Sequence, residues 1–179
     1  MVVAKPLGEY PVRRRSYLTG THIQKEEFYM KILLATDGSE FSTAAIDECK
    51  KYIESGMATE VKIVSVYQAQ IPIVAEPMPM ASDCYQKLND FARERTNDAA
   101  RLARETLLEA KTERVVEITI ETEMENPSSY IPRAARAWGA DMIIVGSHGR
   151  GFLGRIALGS VSDAVVHSAP CSVLIVRSK

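Results

Sequence analysis

The sequence predicts an α/β fold, an open parallel five-stranded sheet with helices on both faces. Strand-like and helix-like segments alternate five times from Met30 onward. Most of those strands are apolar on both faces, the pattern of a sheet buried on both sides. The chain has 179 residues, 46% apolar and 25% charged, enough for one core that buries roughly two-thirds of its unfolded surface. Crossovers in such a sheet are right-handed, and ligands sit beyond the carboxyl ends of the strands where the strand order reverses.

Residues 1–29 stand apart. Pro6, Gly8, Pro11 and Gly20 break any period, and the only compact cluster, Arg13-Arg14-Arg15, is basic. With a net charge of +2 the segment reads as a basic, flexible extension, a nucleic-acid arm being the alternative, and Met30 as a second candidate start. Lys31 to Thr36 is an apolar first strand ended by Asp37-Gly38-Ser39. Ser39 is placed to cap a helix whose Ala45, Cys49, Tyr52 and Ile53 share a face, and Gly56 stops it. Glu60 to Tyr67 is the second strand. Gln68 to Asp83, with Pro72, Pro77 and Pro79, reads as a long loop.

Leu88 to Ala110 is an amphipathic helix with Leu88, Phe91, Ala92, Ala99, Leu102 and Ala103 on one face. Val115 to Thr122 alternates as the third strand. Asn126-Pro127-Ser128 opens a helix that Gly139 ends, with Ile131, Ala135 and Trp138 on its inner face. Asp141 to Val145 is the fourth strand. Ser160 caps a last helix to about His167, and Cys171 to Arg177 is the fifth strand.

Composition narrows the function only by exclusion. A net charge of −1 gives no global field for nucleic acid or anionic lipid, so an anionic ligand needs local groups. No apolar run reaches the length of about 18 residues that spans a bilayer, and residues 1–30 lack the apolar stretch of a secretory signal. Cys49, Cys84 and Cys171 fall in no metal or redox spacing and read as reduced thiols. A cytoplasmic protein without membrane attachment is expected.

The chemistry concentrates after the fourth strand, in Gly146 to Ser160, which holds five of the ten glycines. Glycine lets backbone approach a phosphate closely and reach positive φ, and the helix starting at Ser160 adds its positive end and a hydroxyl. Arg150 and Arg155 supply charge, and His148 is placed either to contact phosphate or to act as a spacer. The alternative is a tight crossover with no ligand. Gly149-x-Gly151-x-x-Gly154 matches the dinucleotide fingerprint formally, but the chain lacks the further strand and acid that motif requires. The Lys-Ser or Lys-Thr pair of a P-loop is missing too.

Gly146-x-x-Gly149, nine residues, then Gly159-Ser160 reproduces the spacing of the ATP-binding universal stress protein family. Met30 to Ser39, Ser65-Val66, Asn126-Pro127 and Pro170 to Val176 also resemble that family, so the likeness runs from Met30 to Lys179. It implies an adenine nucleotide alpha hydrolase-like sheet in order 3-2-1-4-5 and a homodimer through the C-terminal strand. ATP is then expected between the first and fourth strands. Ala35 and Asp37 correspond to adenine and ribose contacts, Val66 to the adenine pocket, and Val145 and Gly146 to the base and ribose side. Gly149, Gly159, Ser160, Val161 and Ser162 match phosphate positions. Ala35 replaces the proline or valine more usual there. His22, His148 and His167 are too dispersed for a metal site, so any Mg or Mn arrives with ATP.

Asp37 also allows a simpler reading, a carboxylate capping the next helix. Three functions follow: a nucleotide-responsive regulatory module, a slow ATP hydrolase using His148 or Asp37, and a structural dimer module independent of nucleotide. No motif places a nucleophile beside a base, and the intact glycine spacing favours the first. The nature of a protein partner is not encoded.

Overall fold

The computed structural model describes residues 2–3, 29–68, 81–149 and 158–178. Its elements in chain order are β1 (Val2–Val3), β2 (Met30–Ala35), α1 (Glu40–Glu54), β3 (Ala58–Tyr67), α2 (Ala81–Leu108), β4 (Glu117–Met124), α3 (Pro127–Trp138), β5 (Met142–Gly146), α4 (Ser160–Ser168) and β6 (Ser172–Val176). The sheet order is β1-β6-β5-β2-β3-β4. Strands β2 to β6 are mutually parallel, so the five strands anticipated from the sequence take the order 3-2-1-4-5.

Successive residues of β2 separate two cores. Ile32 and Leu34 pack with Ala45, Cys49 and Ile53 of α1 and Ala100, Ala103 and Leu107 of α2. Leu33 and Ala35 pack with Ile131 and Ala135 of α3 and Val165 of α4. A strand that must satisfy both layers has no polar face to show, which explains its unbroken apolar run.

Local chemistry fixes the helix ends. Ser39 Oγ accepts from Ser42 N at 3.2 Å to cap α1, and Asn126 Oδ1 accepts from Ser128 N at 2.9 Å to cap α3. Gly139 closes α3 at φ 69°, in the left-handed region that favours glycine. At the amino end of the sheet Asp141 clamps β2 to β5: Lys31 N donates to its Oδ2 at 2.7 Å, and Asp141 N donates to Lys31 O at 2.9 Å. The carboxyl ends of β2 and β5, where strand order reverses, therefore lie side by side.

Val2–Val3, inside the anticipated extension, pairs antiparallel with β6; two residues are too short to show a period. Three expectations are corrected. Helix α2 starts at Ala81 inside the anticipated loop, since the turn before the first apolar residue is helical as well. Within α2, Phe91 and Leu102 are 57% and 59% exposed, while Ala92, Thr96, Ala99, Ala100, Ala103 and Leu107 face inward. Small residues let this helix lie close to the sheet, and the large side chains flanking them are left outside. The third strand runs from Glu117 to Met124, two residues later than its alternation suggested, and Val115 is exposed. Residues 69–80, with the prolines of the anticipated loop, and Arg13-Arg14-Arg15 lie outside the described residues.

Candidate functional site

The turn after β2 is a set of short polar side chains serving backbone groups. Asp37 Oδ1 accepts from Ser39 N at 3.0 Å, so Asp37 does stabilise the entry to α1, as the simpler reading held. Buried Thr36 donates from its hydroxyl to Ser42 Oγ at 3.2 Å and accepts from Gly38 N at 3.4 Å. Ser42 Oγ in turn donates to Ser39 O at 2.9 Å. Gly38 has φ 74°, which turns the chain sharply into the helix.

Asp37 also faces the other loop. A Cβ built on Gly149 would lie 2.9 Å from Asp37 Oδ2. The turn after β2 and the loop after β5 thus meet at a carboxylate. At Gly146 a Cβ would lie 2.7 Å from the carbonyl carbon and oxygen of Phe41. Backbone of α1 rests directly on the end of β5, which only glycine permits.

Ser147 is the hub of this loop. Its N–H donates to Val176 O at 2.7 Å, and its carbonyl accepts from Gly159 N at 2.8 Å and from Ser162 Oγ at 2.9 Å. Ser162 Oγ also lies 2.9 Å from Gly159 O. These bonds hold the start of α4 against the end of β5 across the intervening loop.

Ser160 is not the cap of α4 but its first residue. Gly159 is the N-cap, at φ −72° and ψ 157° and with no side-chain cap bond. Its value here is therefore not positive φ. A Cβ would stand 3.1 Å from His148 Cα and 3.3 Å from Ser147 O, so glycine serves close approach. Beyond it, helix geometry leaves the N–H groups of Ser160, Val161 and Ser162 without intrahelical acceptors, at the positive end of the helix. Ser160 is exposed and Val161 half-buried.

His148 has partners that its position in a loop did not reveal. Its Nδ1 lies 3.1 Å from Ser147 Oγ, and its ring lies 5.2 Å from that of Phe41, tilted by 54°. The imidazole is held in place between the loop and α1. Ser147 is buried, so the pair presents no hydroxyl to a substrate. Ala35, Val66 and Val145 belong to one apolar cluster under this end of the sheet.

Sequence reasoning passed over Phe41, Ser147, Thr36 and Ser42, which shape the site without matching any motif. Arg150, Gly151, Gly154 and Arg155 lie outside the described residues. Among the described residues no three His, Cys, Asp or Glu side chains cluster to hold a metal ion. None of the described helices is long and apolar enough to cross a membrane.

The sequence profile of the universal stress protein family matches residues 28–177. The chain belongs to this family. A universal stress protein of Methanocaldococcus jannaschii is 28% identical over 158 residues, covering 85% of this chain and 84% of that one. The solved universal stress protein UspA of Lactobacillus plantarum superposes with a TM-score of 0.69 at 24% identity, over 83% of this chain and 98% of its own. A solved universal stress protein in complex with cAMP has a TM-score of 0.58 at 23% identity, over 84% of this chain and 98% of its own. These structures share the fold that sets the ends of β2 and β5 together in this universal stress protein.

Proposed function

We propose that this universal stress protein is an ATP-binding regulatory module, its nucleotide-binding unit spanning residues 30–179. One observation carries the reading. The loop at Gly149 comes so near the turn at Asp37 that a Cβ on Gly149 would lie 2.9 Å from Asp37 Oδ2, and Gly159 at the amino end of α4 follows the same loop. A carboxylate, a backbone without side chains and the amino end of a helix on neighbouring loops support a site for an anionic ligand that also carries hydroxyl groups. The cAMP complex of a family member supports an adenine nucleotide as the ligand.

The charges divide the nucleotide between these groups. A bare carboxylate repels phosphate, so Asp37 takes the ribose hydroxyls or shares a Mg or Mn ion that arrives with ATP. Gly149, Ser160, Val161 and Ser162 then receive the phosphates through backbone N–H groups and the Ser160 hydroxyl, while Gly159, its N–H held by Ser147 O, borders them without a side chain in the way. Ala35, Val66, Val145 and Gly146 line the base and ribose side. His148, fixed against Phe41, borders the phosphates. The divalent ion would neutralise phosphate charge; the protein's own residues orient the nucleotide.

Binding rather than turnover is the reading because no sequence motif places a nucleophile beside a base. Occupancy would be read by a partner or by a second copy, with the β6 edge as the dimer surface. The free thiols of Cys49, Cys84 and Cys171 suit a reducing cytosol. Mass spectrometry of ligand released from the purified protein tests the assignment. Adenine nucleotide, or a rise in melting temperature on adding ATP, supports it; the absence of both contradicts it. Time-dependent release of ADP would replace it with the hydrolase.

A further inference from the structure

The two edges of the sheet are defended differently. Strand β4 carries Glu117, Glu121 and Glu123, charges that discourage another strand from pairing there. Strand β6 reads Ser-Val-Leu-Ile-Val, without a charge or a proline. Its Val173 and Ile175 enter one core, and Leu174 and Val176 pack on the other. An edge of this kind is a ready template for a further strand.

Here the outer side of β6 is taken by the chain's own amino end. Val2 stands opposite Leu174 and Val3 opposite Val173, antiparallel. Two copies related by a two-fold axis and joined edge to edge would also pair antiparallel. The groups that β1 occupies are thus the ones a second β6 needs.

We propose that β1 is an intramolecular guard on the β6 edge, and that its release exposes a surface on which a second copy of this chain pairs β6 to β6. The inference rests on the dimer reading above and adds its control. The guard is short, two residues against the five of β6, and is displaced at small cost. It is nonetheless part of the same chain as β6, so its pairing does not depend on protein concentration, whereas that of a second copy does. Dilute protein is therefore guarded and monomeric, and dimer forms when a partner or a rise in concentration outcompetes β1.

The test uses the full chain and its Val2→Pro/Val3→Pro double variant, in which neither residue retains an N–H for the ladder. Strand β1 pairs with β6 alone, so the five parallel strands keep their own ladders and the fold is retained. Sedimentation equilibrium gives the dimer dissociation constant, and hydrogen exchange reports protection of residues 172–176. The variant is expected to dimerise about tenfold more tightly, with β6 amides exchanging faster in its monomer and protected in its dimer. Equal dissociation constants overturn the guard and leave the dimer intact. Tighter association without protection of β6 overturns it as well, because the surface is then a different one. Absence of dimer in either protein up to millimolar concentration overturns the dimer reading and the guard together.

Discussion

Ser162 Oγ donates to the carbonyl of Ser147 at 2.9 Å, across 15 residues of chain, from a position that is 2% exposed. Its hydroxyl is spent on backbone, so Ser162 meets a phosphate only through its N–H, and its side chain sets where the start of α4 lies relative to β5. Ser162→Ala leaves Ser147 O bonded to Gly159 N and costs about 1 kcal/mol of stability. It is expected to weaken ATP about five- to tenfold while changing adenosine affinity less than about twofold. Calorimetric titration of both ligands measures the split, and equal losses would mean a general loosening of the site.

Gly146→Ala should destabilise the fold itself. The new methyl meets Phe41 backbone at 2.7 Å, and backbone of a packed helix cannot move aside as a flexible side chain does. A loss of about 1–3 kcal/mol is expected in urea denaturation. An unchanged midpoint would show that α1 is free to shift.

The acid limb of stability should run through Glu121. Burial opposes its charge, but hydrogen bonds from Lys62 and Tyr130 outweigh that, and its carboxyl is lowered below the ordinary 4.5. The stabilisation is complete above 4.5, the unfolded value, and is lost as pH falls through the lower folded value. Glu121→Gln should flatten the fall in melting temperature below that pH. Superposable acid limbs would remove Glu121 from the account.

Thiol reactivity should single out one cysteine. Burial pushes Cys49 up to about 12, and burial with the nearby Asp141 charge pushes Cys171 up to about 11, so neither forms thiolate readily. Cys84 is exposed. Alkylation of the native protein at mildly alkaline pH is expected to label Cys84 alone, and denatured protein all three; peptide mapping distinguishes the sites.

The parts of this structure that were legible in the sequence are those set by single residues or unbroken runs. The run Ile32 to Ala35 declared a strand buried on both faces, Ser39 and Asn126 declared helix starts, and Gly139 declared an end. The paired glycines marked the loop that meets Asp37. What stayed hidden depends on contacts across the chain. Nothing local marks Ser147 as the acceptor for Gly159 and Ser162, or Phe41 as the neighbour of both Gly146 and His148. Val2–Val3 acquires meaning only from an uncharged edge 170 residues away. For Gly159 the sequence offered close approach and positive φ together; its φ of −72° leaves close approach as the reason.

That reason leads to the most direct test of nucleotide binding at this site. The branched side chain of Gly159→Val would enter the space 3.1 Å from His148 Cα and 3.3 Å from Ser147 O and displace the start of α4. Titration of ATP into the parent protein and into this variant, each checked for an intact fold by circular dichroism, measures the effect. Saturable binding by the parent and its loss in a folded variant is the predicted result. Undiminished ATP affinity in the variant, or no binding by the parent, would contradict the assignment.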